Sequence, residues 1–552
     1  MTKFTKVSRV VAFILLLVMI LTTLIGCKIV IKRPKKTTAT IDDGGFENTN
    51  PNPVLDPVDD NYRTLYQIYV RSFADSDGDG IGDIRGIIET FDYLNDGDIS
   101  SGRDLGVQAI WLTPIFYASS GHKYDAIDFY SVDPDFGTLD DLKELIALCD
   151  ERNVKLILDL ALNHTSTSNE WFKQFKEAHK KGDTSNRYYN FYSWYGSKLN
   201  GGYVQVPGQN LWYESWFDTQ GGSMPELNYD NPEVRKEMLN VAKYWLDLGI
   251  DGFRFDAVKY IYYNDHVKSP AFYKEYTDQL RKWYPDIYLI GECWEESDTN
   301  ILKYYNSMDC FNFPMRGERT LGSIAKGSSA ISSFVTNICS LQQKVTNIRK
   351  DAMISCFLSN HDQDRSAGYI TADNQRKMAA SLYLLTPGTP VIYYGEEIGI
   401  KGSGDSPEDA NRRLPMKWGD IWTCKVPSYA TYSYDVDSNT VYDQVRDENS
   451  LMRHYANVLS IRNRYPAIAR GTYTGIFTGK STFGGFQISY NGEKLMLLHN
   501  TSPTETVTID LKTISNLSGY SAFELLEVVG VNDATISGTT LTIGPQTTVL
   551  FK

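Results

Sequence analysis

From Tyr62 onward, short runs rich in β-branched and aromatic residues alternate with longer stretches whose apolar positions recur every three to four residues. The short runs are Leu65–Val70, Val107–Leu112, Val154–Leu160, Gly252–Asp256, Ile287–Gly291, Met308–Phe313, Ile354–Ser359 and Pro390–Tyr394. A strand followed by an amphipathic helix, repeated around a parallel sheet, predicts an α/β fold, and eight such runs fit a closed (β/α)₈ barrel. The helix before the fourth run shows the local logic. Asn231 can cap its N-terminus, and Pro232 occupies the first helical position, where an N–H would have no partner anyway. Val234, Met238, Val241, Trp245 and Leu248 form one apolar stripe, and Gly249 ends the helix just before the next strand.

Two segments break the repeat. Residues 165–228 lack the strand–helix pattern and are dense in Tyr, Trp, Gly and Asn. That is too long for a bare loop and predicts a subdomain inserted after strand three, between barrel parts 61–164 and 229–464. From residue 465 to 552 the pattern becomes short alternating strands separated by turns, which predicts a C-terminal antiparallel β-sandwich.

The N-terminus predicts location. Lys3, Lys6 and Arg9 precede an apolar run, Val10 to Ile25, that is short for a membrane span and ends in Leu24-Ile25-Gly26-Cys27. The combination resembles a bacterial lipoprotein signal over residues 1–26, with lipidation of Cys27; an uncleaved anchor is the other reading. Residues 27–60, rich in Lys, Pro, Thr, Asn and Asp, read as a tether. Both readings put the body outside the cytoplasm, attached to the cell membrane.

Composition narrows the partners. The net charge of −13 argues against nucleic acid, which needs clustered Lys and Arg, and leaves neutral polymers open. With 37 Tyr, 24 Phe and 10 Trp, the chain has many flat faces for sugar rings, although most such residues serve cores. The seven cysteines show neither a CxxC pair nor zinc spacing, so a disulfide framework is not required.

Candidate chemistry gathers where a barrel concentrates it, at the C-terminal ends of strands. Strand three ends Asp159-Leu-Ala-Leu-Asn163-His164. Strand four reads Gly252-Phe-Arg254-Phe-Asp256-Ala-Val-Lys259-Tyr260. Strand five ends Gly291-Glu292, and strand seven ends Asn360-His361-Asp362. These segments, with Gly121-His122-Lys-Tyr124-Asp125 after strand two and Met224-Pro225-Glu226-Leu227-Asn228, resemble the regions that define the α-amylase family of glycoside hydrolases. The last matches the variant intermediate between oligo-1,6-glucosidases and neopullulanases. The resemblance runs from about Tyr62 to Arg464. It implies a retaining mechanism with Asp256 as nucleophile, Glu292 as general acid/base and Asp362 as transition-state stabiliser. It also implies substrate contacts from His122, Tyr124, Asp125, His164, Arg254, Lys259, His361 and Arg413. An Asp125–Arg413 bridge would close the pocket as in related exo-glucosidases. Tyr260 departs from the family pattern, which commonly has histidine at the leaving-group subsites.

Asp75-Ser-Asp77-Gly-Asp79-Gly80-Ile81-Gly-Asp83 places oxygen donors as in the first part of an EF-hand loop, but Gly86 stands where the closing Glu would be. Many family members bind calcium at this loop, which implies Ca²⁺ on Asp75, Asp77, Asp79, Asp83 and the Ile81 carbonyl. The expected function is endo-cleavage of α-1,4 bonds in starch and maltodextrin outside the cell, with the aromatics of the insert offering remote stacking sites. The alternatives are a neopullulanase, oligosaccharide α-glucosidase or glucanotransferase on the same site, and a non-catalytic glucan-binding lipoprotein.

Overall fold

The computed structural model describes residues 60–98, 101–198 and 201–552. The signal-like stretch, Cys27 and nearly all of the tether lie outside them. Among the described residues, no helix is long and apolar enough to cross a membrane.

Eight parallel strands form the centre: β1 (Leu65–Ile68), β2 (Ala109–Leu112), β3 (Lys155–Leu160), β4 (Gly252–Phe255), β5 (Tyr288–Gly291), β6 (Asp309–Phe311), β7 (Ile354–Ser355) and β8 (Val391–Tyr393). They pair in sequence order from β1 to β7, with β8 on the free side of β1. A parallel bridge between Phe357 and Val391 brings the ends together. Each strand falls within a run predicted from the sequence. Every residue of β1, β2, β4 and β5 is buried, as strands covered on both faces require.

Helix α1 (Pro232–Asp247) follows its sequence signals. The Asn231 side chain accepts from the Glu233 N–H at 3.0 Å, Leu248 caps the other end, and Gly249 takes the left-handed conformation at φ +110°. Val234, Met238, Val241 and Trp245 are fully buried, and the Trp245 indole donates to the Phe129 carbonyl at 2.8 Å. Phe129 lies on an element the pattern did not predict, a bulged antiparallel pair formed by Phe116–Ala118 and Ala126–Val132.

The insert after β3 contains helix Glu170–Lys181 and a small antiparallel sheet of Trp194–Tyr195, Tyr203–Gln205 and Trp212–Glu214. An isolated bridge between His164 and Glu226 ties it back to the barrel, and another, Tyr192–Leu227, lies within it. Its aromatics mostly form its own core. Phe191 and Tyr192 are fully buried with Phe172 and Phe175, and Tyr189 and Trp194 pack on His179. Phe191 and Tyr192 are thereby removed as stacking sites for sugar, whereas Tyr188, Tyr189, Trp194, Tyr195, Trp212 and Trp216 stay at least partly exposed. Composition counts rings but does not say which way they face.

The C-terminal segment forms a five-stranded and a three-stranded antiparallel sheet. Residues of both, including Phe483, Leu498, Leu541 and Phe551, close on one apolar core, as in a sandwich.

Candidate active site

Asp256 directly follows β4 and Glu292 directly follows β5, so register places both at the same rim of the barrel. Arg254, fully buried on β4, reaches both. Its Nη1 donates to Asp256 Oδ1 at 2.6 Å, and its Nη2 lies 3.0 Å from Glu292 Oε2. The same Nη1 donates to Asp159 Oδ1, at the end of β3, at 2.8 Å. One planar guanidinium, itself fully buried, thus spans three carboxylates. Ala257, next to Asp256, adopts a left-handed conformation at φ 42°, which a non-glycine residue takes at a cost of about 1–2 kcal/mol. That turn aims its N–H at Glu292 Oε2, 3.0 Å away. Backbone strain is exchanged here for a fixed carboxylate.

Asp362 approaches from the loop after β7. Arg413 Nη2 pairs with its Oδ1 at 2.7 Å, and His361 Nε2 lies 3.1 Å from its Oδ2. Beneath them Tyr124 donates to Asp159 Oδ2 at 2.8 Å, and its ring stacks parallel to that of His361. Asp256, Glu292 and Asp362, with His122, Tyr124, His164, Lys259 and Arg413, line a cavity of about 580 Å³. Such a volume suits a small ligand or a short stretch of a polymer. His164 is 1% exposed and its Nε2 has no hydrogen-bond partner among the described residues, so a buried polar atom able to bond a ligand stands at the cavity wall. Lys259 donates to the Trp294 carbonyl at 2.8 Å and pairs with Glu295 at 3.2 Å, tying the loops after β4 and β5 together.

The electrostatics divide the carboxylates. Burial, reinforced by the charges of Asp256 and Asp362, pushes Glu292 up to about 8 even against Arg254. Burial likewise pushes Asp159 up to about 7. Burial works the same way on Asp362, but the contact from His361 and the charges of Arg413 and Arg254 outweigh it and hold that group below the usual carboxylate range. A protonated Glu292 and an ionised Asp362 thus face one cavity, a proton donor and a fixed negative charge.

The bridge that would close the pocket as in exo-glucosidases is not formed. Asp125 does not meet Arg413. It is buried and accepts from the Ser120 N–H at 3.2 Å and from the Ser120 hydroxyl, while Arg413 pairs with Asp362 and, at 3.4 Å, with Asp409. Asp409 takes over from Asp125 because it stands one helical turn before Arg413 on the same loop and lines the cavity. Asp409, Phe217, Met224 and Trp294 are cavity residues that sequence reasoning missed. They sit on irregular loops with no periodic signal, although the four-residue spacing of Asp409 and Arg413 was a hint.

The acidic loop after β1 is also only partly as expected. Carboxylate oxygens of Asp75, Asp77 and Asp83 lie within 4.8 Å of one another, whereas the Asp79 carboxylate turns to the Ile81 N–H at 2.7 Å. Asp75 accepts backbone N–H groups of Asp77, Gly78 and Gly80, and Asp83 caps the helix Ile84–Glu89 through the Gly86 N–H. Burial and the neighbouring Asp77 push Asp83 upward, a repulsion that a cation would relieve. Hard oxygen donors on a tight loop fit Ca²⁺.

The profile described as "Alpha amylase, catalytic domain" matches residues 67–471. The chain belongs to the α-amylase family. This α-amylase-family protein is 33% identical to Alpha-amylase 3 of Dictyoglomus thermophilum over 88% of its own length and 92% of that protein. It is 27% identical to an oligo-1,6-glucosidase of Bacillus cereus, over 88% and 98% respectively. Among solved structures, it is similar to Amy13B of Eubacterium rectale, with TM-score 0.82 and 33% identity over 90% of this chain and 97% of that one. Family membership makes the protein an enzyme of the glycosidase type.

Proposed function

We propose that the protein is a retaining, endo-acting α-amylase that cleaves α-1,4 bonds of starch and maltodextrins outside the cell. The observation that carries this reading is the Arg254 guanidinium with Asp256 and Glu292 on its two terminal nitrogens, at the wall of a cavity that Asp362 also lines. Retaining glycosidases hold their two carboxyls roughly 5–5.5 Å apart, and a shared guanidinium keeps Asp256 and Glu292 close together. Asp256 attacks the anomeric carbon while Glu292 gives its proton to the departing glycosidic oxygen. Glu292, now a carboxylate, then takes a proton from the water that releases the sugar from Asp256. Asp362 accepts hydroxyl hydrogen bonds of the ring being cleaved, and His122, Tyr124, His164 and Arg413 line the same space.

Endo action is favoured because Arg413 pairs with Asp362 and Asp409, so the Asp125–Arg413 bridge does not wall off the cavity. The name Alpha-amylase 3 of the D. thermophilum relative supports the amylase reading. The names oligo-1,6-glucosidase and 4-alpha-glucanotransferase among the relatives keep exo action and transfer as the second reading. Viscosity of a starch solution separates them. Endo cleavage collapses viscosity while few reducing ends have appeared; glucose accumulating at nearly unchanged viscosity would overturn it.

The proton on Glu292 sets a pH limit. A general acid works only while protonated, so kcat/KM is expected to fall as pH rises through about 8. A decline beginning in the ordinary carboxylate range, near pH 4–5, would contradict the assignment.

Calcium on Asp75, Asp77 and Asp83 would act on stability, since the loop supplies no group to the cavity. Chelation is expected to lower the melting temperature and added Ca²⁺ to restore it, by roughly 2.7 kcal/mol at a hundredfold excess over the dissociation constant. Asp77→Ala should abolish the response. Identical melting with and without chelator would make the loop an ordinary acidic turn.

The lipoprotein-like signal supports attachment to the outer side of the cell membrane through Cys27. Cys27→Ser should move the protein from the membrane fraction to the soluble one; its retention would favour an uncleaved anchor.

A further inference from the structure

We infer that Gln67 is a positioning residue: its side-chain amide fixes which ring nitrogen of His361 carries the proton, and through that nitrogen aims the Asp362 carboxylate. This rests on the reading of Asp362 as the stabilising carboxylate of the active site.

Gln67 is a polar residue in the wholly buried strand β1, level with Trp111 on β2 and Tyr393 on β8. Its amide nitrogen lies 2.7 Å from His361 Nδ1. The His361 ring is 1% exposed. It lies parallel to the Tyr124 ring (5.6 Å between centroids, 5° between planes) and edge-on to Trp111. On its other side, Nε2 lies 3.1 Å from Asp362 Oδ2 and 2.7 Å from the Tyr124 oxygen.

The hydrogens in this chain follow by elimination. Burial, with Arg413 and Arg254 nearby, drives His361 down to about 3, so the ring is neutral and carries one proton. Tyr124 gives its own hydrogen to Asp159, so its oxygen is an acceptor toward Nε2. An ionised Asp362 can only accept. Both groups facing Nε2 therefore need a donor there, and the single ring proton belongs on Nε2. Nδ1 is left with a lone pair and needs a donor in turn. The Gln67 amide supplies it. The reverse amide orientation would call for a proton on Nδ1 and set the bare Nε2 against the Asp362 carboxylate. A wrong histidine tautomer is costly wherever a histidine orients a reacting group.

The test pairs spectroscopy with kinetics. In full-length protein labelled with ¹⁵N-histidine, the His361 signal is assigned by its loss in His361→Asn, and long-range ¹H–¹⁵N spectra read the protonation of each ring nitrogen. The wild type should show the neutral Nε2–H form. Gln67→Glu presents an acceptor to Nδ1, so His361 should gain a second proton and become imidazolium near neutral pH. Gln67→Met keeps the volume but offers no donor; kcat should fall about tenfold with KM changed less than about twofold. A neutral Nδ1–H form in the wild type, an unchanged ring in Gln67→Glu, or full kcat in Gln67→Met would each overturn the inference. The wild-type spectrum decides even if a variant does not fold. An active Asp362→Asn enzyme would instead sink the catalytic reading and leave the tautomer result standing.

Discussion

Asp256→Asn should lose on the order of 10⁴-fold or more of kcat on starch, and Glu292→Gln about 10²–10⁴-fold, with the fold intact in both. Each substitution keeps the shape of the side chain and an oxygen for Arg254, whose contacts reach Asp256 at 2.6 Å and Glu292 at 3.0 Å. What is lost is chemical. An amide at 256 is a far poorer nucleophile than a carboxylate, and an amide at 292 has no labile proton to give the leaving oxygen. The two variants should differ in a telling way. Glu292→Gln should regain rate on a glucoside whose leaving group needs no protonation, because attack by Asp256 remains possible. Asp256→Asn should gain nothing from a better leaving group. Near-normal turnover by either variant on starch would remove that residue from its role.

Arg254→Met should be the largest effect on stability. The guanidinium is the shared partner of Asp159, Asp256 and Glu292, all of them buried. Removing one partner from a buried ion network typically costs about 3–5 kcal/mol, because the remaining charges stay out of water without compensation. The direction with pH tests the cause. Burial already pushes Asp159 and Glu292 toward their protonated forms, up to about 7 and about 8, even with the arginine present. Without it they should rise further, so the variant's penalty is largest above neutrality, where ionisation is forced. The penalty should shrink as pH falls and protons neutralise the site. Melting temperatures of wild type and Arg254→Met from pH 5 to 9 check this. A constant gap would mean that lost packing, not charge, sets the cost. Lysine should not rescue the site, since a point charge cannot serve three carboxylates at once.

The barrel was legible because its strands are buried on both faces and therefore appear as unbroken apolar runs, as in Leu65–Ile68 and Tyr288–Gly291. The helices between them carry stripes and caps such as Asn231 and Gly249. Helix Glu170–Lys181 escaped notice although Asn169 caps it and Gly182 ends it. Its buried face is short, only Phe172, Phe175 and Ala178, within a segment dominated by polar and charged residues. The pair Phe116–Ala118 and Ala126–Val132 escaped for another reason: its bulges break the strict alternation that marks a half-buried strand. In the site, Asp256, Glu292 and Asp362 were legible from motifs at strand ends. Their partners were harder. Asp159 stood inside a quoted segment, yet nothing local says that its carboxylate shares the arginine of Asp256. Asp409 in place of Asp125 at Arg413 depends on where an irregular loop returns to the barrel, and sequence spacing does not encode that path.

The stereochemistry of the first-formed product tests the double displacement at Asp256 and Glu292 most directly. A maltooligosaccharide is hydrolysed by the wild-type enzyme, and the anomeric protons of the new reducing end are followed by NMR before mutarotation mixes them. Attack by Asp256 and then by water inverts the anomeric carbon twice, so the α-anomer should appear first. Initial appearance of the β-anomer would mean a single displacement by water and would contradict the assignment of Asp256 as nucleophile.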